Sequence, residues 1–234
     1  MSTVQPEDYA RRSPVYRLLR AAGATFSELN NAAIVSCVDF NRDLDVASTM
    51  GIADLSPLPR VGFKGRATPD WLADAGVKIP DAPNLARLQD DGTLVARLSN
   101  DEHVFLSDLS CESRKVAELS SAWELEAGRL CYMMPRADTH AWFAITGECA
   151  PAMLSKICGV DARPHKFANG AIAQTSIARI NGVLIRHDQG STIGYYVLAD
   201  TASADFLWPC LLDAMQEFDG APVGIDALWT LSSG

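Results

Sequence analysis

The side chains able to do chemistry are few, and their spacing excludes several chemistries at once. Four histidines, His103, His140, His165 and His187, stand far apart in the sequence. None forms an H-x-x-x-H array or sits beside a cysteine pair, so the spacing gives no metal centre. The six cysteines, Cys37, Cys111, Cys131, Cys149, Cys158 and Cys210, contain no C-x-x-C pair. They read as small buried hydrophobes in a reducing compartment rather than as a disulfide framework. There is no G-x-S-x-G nucleophile turn and no glycine-rich phosphate loop. What remains is the acidic stretch Asp90-Asp91-Gly92, whose residue types favour a turn on their own, and basic residues at strand ends. Of these, Arg60, Lys64, Arg179 and Arg186 are the candidates for an anionic ligand or an acidic partner surface. Large aromatics dominate binding hot spots, so Trp208 and Trp229, near the C-terminal helix and tail, are candidate partner-interface anchors.

The 234-residue chain carries 20 basic and 29 acidic residues, a formal charge of −9. That surface repels a phosphate backbone and no basic stripe offsets it, which argues against nucleic acid as a partner. Hydrophobic residues reach 48%, enough to build a sizeable core. The apolar runs fall well short of the ~20 residues that span a bilayer. The stretch Met1–Arg12 has no apolar core of a secretory signal. A cytoplasmic location and no membrane contact are therefore expected.

Around these residues the periodicity places an α+β chain. A polar tail and a helix from Pro14 to Ala22 occupy residues 1–44. A strand at Arg60–Gly65 is followed by a helix at Trp71–Ala75, strands at Thr93–Leu98 and His103–Leu106, and a helix at Ser113–Glu124. Residues 126–234 repeat the order: strand Thr139–Thr146, helix Ala150–Cys158, a long β-rich run Ala171–Arg186, strand Gly194–Ala199 and an amphipathic helix Ala204–Phe218. On that helix Phe206, Leu207, Cys210, Leu211, Ala214, Met215 and Phe218 are read as one buried face. Each half, 45–125 and 126–234, thus reads as a β-α-β-β-α lobe. Gly65 and Gly147 stand 82 residues apart, as do Arg97 and Arg179 within Val95–Leu98 and Ile177–Ile180. The matching offsets point to an internal duplication.

The residues now on the page resemble a known superfamily. Gly51-Ile52-Ala53-Asp54-Leu55-Ser56 is similar to the G-hydrophobic-x-D-[VL]-S segment of glycine-cleavage T proteins, the folate-linked aminomethyltransferases. Asp91–Leu98 with Asp101–Leu106 resembles their next hairpin, and Thr139–Ala150 their strand-to-helix turn. Phe167-Ala168-Asn169-Gly170 through Gln174-Thr175-Ser176-Ile177-Ala178, preceded by Cys158-Gly159-Val160-Asp161, is similar to the gamma subunit of heterotetrameric sarcosine oxidase. The resemblance spans about residues 45–220 and implies a T-protein-like fold of two lobes.

It also implies a set of roles. Asp91 falls where T proteins carry a carboxylate that assists the pterin, making it the candidate catalytic group, since such a group works when burial tunes its pKa. The stretch Gly190-Ser191-Thr192-Ile193-Gly194-Tyr195-Tyr196 matches their T-G-E-x-G-Y-E hairpin, with Thr192 where the pterin-gripping Glu belongs. A hydroxyl cannot supply the paired acceptor a carboxylate offers a guanidine-like ring edge. Asp188 is the one nearby replacement. Arg179, Arg186, Thr192 and Tyr195 are the candidate folate or substrate contacts. Two functions follow as expectations. The first is a gamma-like subunit of a multi-subunit enzyme that oxidatively demethylates small methylated amines, with tetrahydrofolate held by this chain or by a partner subunit of an amine oxidase or monooxygenase. The second is a stand-alone tetrahydrofolate-dependent aminomethyltransferase using Asp91. A third, a folate-binding maintenance factor for iron–sulfur enzymes, lacks its K-G-C-Y-x-G-Q-E motif.

Overall fold

In the computed structural model, residues 2–233 are described. The chain runs β1 (Arg11–Arg12), α1 (Tyr16–Ala21), β2 (Thr25–Leu29), β3 (Ala32–Cys37), α2 (Asp43–Met50), β4 (Gly51–Asp54), β5 (Arg60–Lys64), α3 (Thr68–Asp74), β6 (Leu85–Leu88), β7 (Leu94–Arg97), β8 (Glu102–Leu106) and α4 (Lys115–Ala122). It continues through β9 (Tyr132–Met134), α5 (Arg136–Thr139), β10 (His140–Thr146), α6 (Ala150–Ile157), β11 (Ile172–Ile177), β12 (Ile180–Arg186), β13 (Gly194–Asp200), α7 (Ala204–Met215), β14 (Ala221–Pro222) and α8 (Ile225–Ser233). The β-rich run up to Arg186 breaks into β11 and β12 because Ala178 and Arg179 both take left-handed backbone (φ 49° and 68°), the geometry of a two-residue hairpin turn.

The fold is α+β and divides into two compact units. The first gathers the chain up to Pro57, His140–Asn169 and Ala173 onward; the second gathers Leu58–Thr139 and Gly170–Ile172. Neither coincides with the contiguous halves 45–125 and 126–234, because β4 pairs with β10 and not with β5, which follows it.

Within the second unit the sheet order is β6-β7-β8-β5-β9; within the first it is β11-β12-β13-β10-β4-β14, beside a small sheet β1-β3-β2. The first four positions of the two large sheets match in topology: a three-strand meander, then the strand that preceded the first helix. The repeat is therefore β-α-β-β-β-α in each unit, one strand longer than the expected lobe. At the end of β5 and of β10, Gly65 (φ 133°) and Gly147 (φ 108°) turn the chain into a helix. A Cβ on Gly65 would lie 2.1 Å from the Leu130 carbonyl oxygen, and one on Gly147 would lie 2.3 Å from that of Thr49. Both glycines are required by the same close backbone approach. The match of Val95–Leu98 with Ile177–Ile180 does not survive: Val95–Arg97 lie within β7, whereas Ala178 and Arg179 form the β11–β12 turn. Short runs of common residues produce such coincidences.

Packing explains the helices. The second unit's core brings Val61 and Phe63 of β5, Val95 of β7 and Phe105 of β8 against Leu72 of α3 and Leu119 of α4. Phe63 and Phe105 meet edge-on at 5.8 Å between ring centroids. Each such side chain contributes about 1.5–3 kcal/mol on burial. In α7 the buried residues are Ala204, Leu207, Trp208, Leu211, Ala214 and Met215, at helical i, i+3, i+4 spacing. This corrects the expected face: Phe206 is 54% exposed, and Trp208 takes the core position. The chain leaves the helical segment at Asp219, whose φ of 53° is left-handed.

Candidate functional site

The β12–β13 hairpin is the place to look for a ligand grip. Its tip closes through reciprocal backbone hydrogen bonds, Gln189 N–H to Thr192 O and Thr192 N–H to Gln189 O, both 2.9 Å. Successive residues of a strand face opposite sides, so Tyr195 and Tyr196 of β13 serve two different environments.

On the Tyr195 side, Arg186 is 5% exposed and grips Asp188 with two parallel bonds, Nε to Oδ1 at 2.6 Å and Nη2 to Oδ2 at 2.9 Å. Its Nη1 donates to the Phe167 carbonyl at 2.9 Å, and its guanidinium lies 5.6 Å from the centre of the Tyr195 ring. Burial opposes the guanidinium's charge, but the Asp188 carboxylate outweighs it and holds the Arg186 pKa above its ordinary value. Tyr195 is fully buried, donates its hydroxyl to the Ala162 carbonyl and stacks on Phe167. Burial pushes its pKa up to about 12. Asp188 Oδ1 also accepts from Gly194 N at 3.1 Å. Arg186, Asp188 and Tyr195 thus form a closed structural staple whose polar groups are already engaged.

On the Tyr196 side, Trp142 packs edge-on against the tyrosine ring at 5.1 Å and His187 tilts over it at 4.8 Å. Gln189 Nε2 donates to the Tyr196 hydroxyl at 3.1 Å, and Gln189 Oε1 accepts from Ser232 Oγ at 2.6 Å. Burial pushes His187 down to about 4, so its imidazole is neutral at physiological pH. Thr192 is half-buried beside this cluster in sequence and adds only a hydroxyl. The hairpin's tip therefore offers neutral hydrogen-bonding groups and aromatic surface, and the carboxylate there, Asp188, is held by Arg186. The expectation that Asp188 replaces the missing Glu is overturned by that pairing.

The other sequence candidates lie elsewhere. Asp91, in the second unit, accepts from Thr93 N at 3.0 Å, Thr93 Oγ1 at 3.1 Å, Arg114 N at 3.0 Å and Lys115 N at 2.9 Å. It ties the β6–β7 turn to the start of α4. Burial works to raise its pKa, but these donors together hold it below the ordinary carboxylate value. A base engaged by four donors is a helix cap, which is the turn reading. Arg179 is exposed at the far end of β12 from Arg186, roughly 23 Å along seven residues of strand. Asp91, Arg179 and Tyr195 thus do not form a shared pocket within either unit. Arg60 is buried and donates to the carbonyls of Leu58 (2.9 Å), Arg136 (3.2 Å) and Ala137 (3.1 Å), while Lys64 pairs with Glu102 at 2.7 Å. Trp208 is 1% exposed, edge-on to Phe143 at 5.1 Å, and so is a core residue, not an interface anchor. Trp229 is half-buried on α8.

His187 and Gln189 were not singled out as ligand candidates from sequence. The signal for the staple is Arg186-x-Asp188 beside a glycine turn, but the sequence reading makes both residues ligand candidates, whereas the structure pairs them with each other. Among the described residues no group of three or more His, Cys, Asp or Glu side chains is arranged to hold a metal ion. No helix among them is long and apolar enough to cross a membrane.

Comparison with known proteins follows the fold. The sequence matches no curated protein. Among solved structures, a chain of heterotetrameric sarcosine oxidase from Corynebacterium sp. U-96, in complex with pyrrole 2-carboxylate, is similar at 20% identity and TM-score 0.64, over 90% of this chain and 97% of that one. Glycine cleavage system aminomethyltransferase T from Bartonella henselae is similar at 16% identity and TM-score 0.70, over 94% of this chain. This chain spans 61% of that aminomethyltransferase's length. The profile described as the GCVT N-terminal domain matches residues 85–233, more than half of the sequence, and the chain therefore belongs to the GCVT N-terminal domain family.

Proposed function

We propose that this chain is a gamma-type subunit of a cytoplasmic multi-subunit enzyme that oxidatively demethylates small methylated amines and passes the released carbon to tetrahydrofolate. The observation that carries the proposal is the β12–β13 hairpin. Thr192 stands at the pterin-gripping position, and Asp188 is held by two bonds from Arg186. The amino-pyrimidine edge of a pterin needs a paired acceptor, and a carboxylate already bridged by a guanidinium does not offer one. The residues of this hairpin thus do not fit a folate grip, and tetrahydrofolate is assigned to a partner subunit.

This chain's own part is to assemble. The Arg186–Asp188–Tyr195 staple and the Trp142–Tyr196–His187 cluster rigidify the hairpin, and a rigid hairpin presents a fixed surface to a larger subunit without ordering cost on binding. The alternative, a stand-alone aminomethyltransferase built on Asp91, is weakened because that carboxylate caps α4. The test is calorimetric titration of the purified chain with tetrahydrofolate. Binding weaker than about 1 mM, a free energy above about −4 kcal/mol, is expected. Micromolar binding by the isolated chain overturns the proposal.

A further inference from the structure

A concavity lies on the first unit beside α6 and α7, apart from the β12–β13 hairpin. The C-terminal end of α6, the β11–β12 turn and α7 line an open, shallow groove of about 790 Å³. That falls within the range of small-molecule sites, about 300–1,000 Å³. Ile157 and Cys210 line it, and Phe206, 54% exposed, and Pro209 add apolar surface. Two opposite charges, Arg179 and Asp213, line the same groove. Neither side chain makes an ion pair or hydrogen bond among the described residues. Lys156, also at the groove, is already engaged by the Ala214 carbonyl at 3.0 Å and by Glu217 at 3.4 Å.

The turn that carries Arg179 is not the one its backbone prefers. Two consecutive left-handed residues call for Asn-Gly, and a side chain with Cβ costs about 1–2 kcal/mol at each position. Here the pair is Ala178-Arg179, at φ 49° and 68°. A glycine at 179 would relieve the strain; this chain has a long cation there instead. Pro209 likewise sits inside a helix and removes a backbone hydrogen bond, leaving a rigid apolar ring at the groove beside an outward-facing phenylalanine.

We propose that this groove binds an amino-acid zwitterion with an apolar side chain. The Arg179 guanidinium receives the ligand carboxylate, the Asp213 carboxylate receives its ammonium group, and Phe206 and Pro209 cover the apolar body. An exposed cation and an exposed anion, neither paired among the described residues, line one groove with apolar surface, and that combination matches a zwitterion with an apolar body. The inference is independent of the subunit role proposed above.

Three probes with one apolar body separate the contributions: phenylalanine carries both charges, hydrocinnamate the carboxylate alone, and phenethylamine the ammonium alone. Titration followed by NMR on the full chain is expected to rank phenylalanine tightest. Arg179→Gly relaxes the turn, so its melting temperature is expected to be unchanged or higher. It should weaken phenylalanine and hydrocinnamate about tenfold, the loss of one charge-assisted contact, and leave phenethylamine unaltered. Asp213→Asn should give the converse pattern, and Phe206→Ala should weaken all three. The proposal is overturned if no probe shifts the groove resonances at millimolar concentration, or if binding ignores both charge substitutions.

Discussion

Replacing His103 with leucine is expected to change the acid stability of the protein in a calculable direction. His103 lies in β8, fully buried, directly across from Phe63 of β5 and Arg97 of β7. Neither ring nitrogen has a hydrogen-bond partner. Burial first, then the charge of Arg97, push its pKa down to about 4, while Asp101 and Glu102 raise it only weakly. The sign follows from proton uptake. Below the ordinary value of 6.5 the unfolded chain takes a proton that the folded chain refuses, so stability falls as pH drops from about 6.5 to about 4. At 1.36 kcal/mol per pH unit, that window is worth at most about 3.4 kcal/mol, and solvent screening of the Arg97 charge trims it to about 2–3. His103→Leu removes the titration. It also removes two unpartnered polar atoms, so at pH 7 the variant should equal or exceed the parent by about 1 kcal/mol. Denaturant unfolding at pH 7.0, 5.5 and 4.5 reads the difference, with Trp71 and Trp123 reporting from the same unit. The gap between variant and parent should widen by about 2 kcal/mol across that series. A gap that stays constant with pH would refute the claim that His103 folds as an unsatisfied neutral imidazole.

Other substitutions probe the staple, the turns and the core. Arg186→Met leaves the Asp188 carboxylate without its two-bond partner and should cost about 3 kcal/mol in denaturant unfolding, with a loss under 1 kcal/mol counting against the staple. Gly147→Ala forces a Cβ against the Thr49 carbonyl at a left-handed position. It should destabilise by about 3 kcal/mol or more, or yield insoluble protein; an unaffected melting temperature would contradict the close approach. Trp208→Ala should cost about 3–5 kcal/mol, while Phe206→Ala, on the same helix but exposed, should stay within about 0.5. Equal effects would mean the helix is rotated from the face described.

Local signals carried much of the fold. The glycine turns after β5 and β10, the β7–β8 hairpin and the α6 helix follow from turn chemistry and apolar period alone. Pairing between distant segments was less legible: β4 reads like a neighbour of β5, and only the coordinates show it beside β10. The expected α7 face includes Phe206 and omits Trp208 because the two are similarly apolar, and composition does not say which of two aromatics points inward. Arg60 looked like a ligand cation because its burial against carbonyls from residues 136 and 137 is a long-range fact. The site was half legible. Thr192 at the Glu position was visible as a departure from the family pattern. The capture of Asp188 by Arg186, which decides what that departure means, needed side-chain geometry.

The pairing of β4 with β10 also sets a schedule for biosynthesis. Leu55 N–H donates to the Trp142 carbonyl at 2.8 Å, as though the two strands shared a tight loop, yet residues 58–139 intervene. At about 5–20 residues per second, a ribosome needs roughly 4–16 s to make those 82 residues. Throughout that interval Ile52 and Leu55 await β10, the strand they pair beside. The inserted unit, which has its own core, is free to collapse first. Nascent chains stalled near residue 139 should accordingly be chaperone clients through the segment around β4, and chains extended past β13 should not.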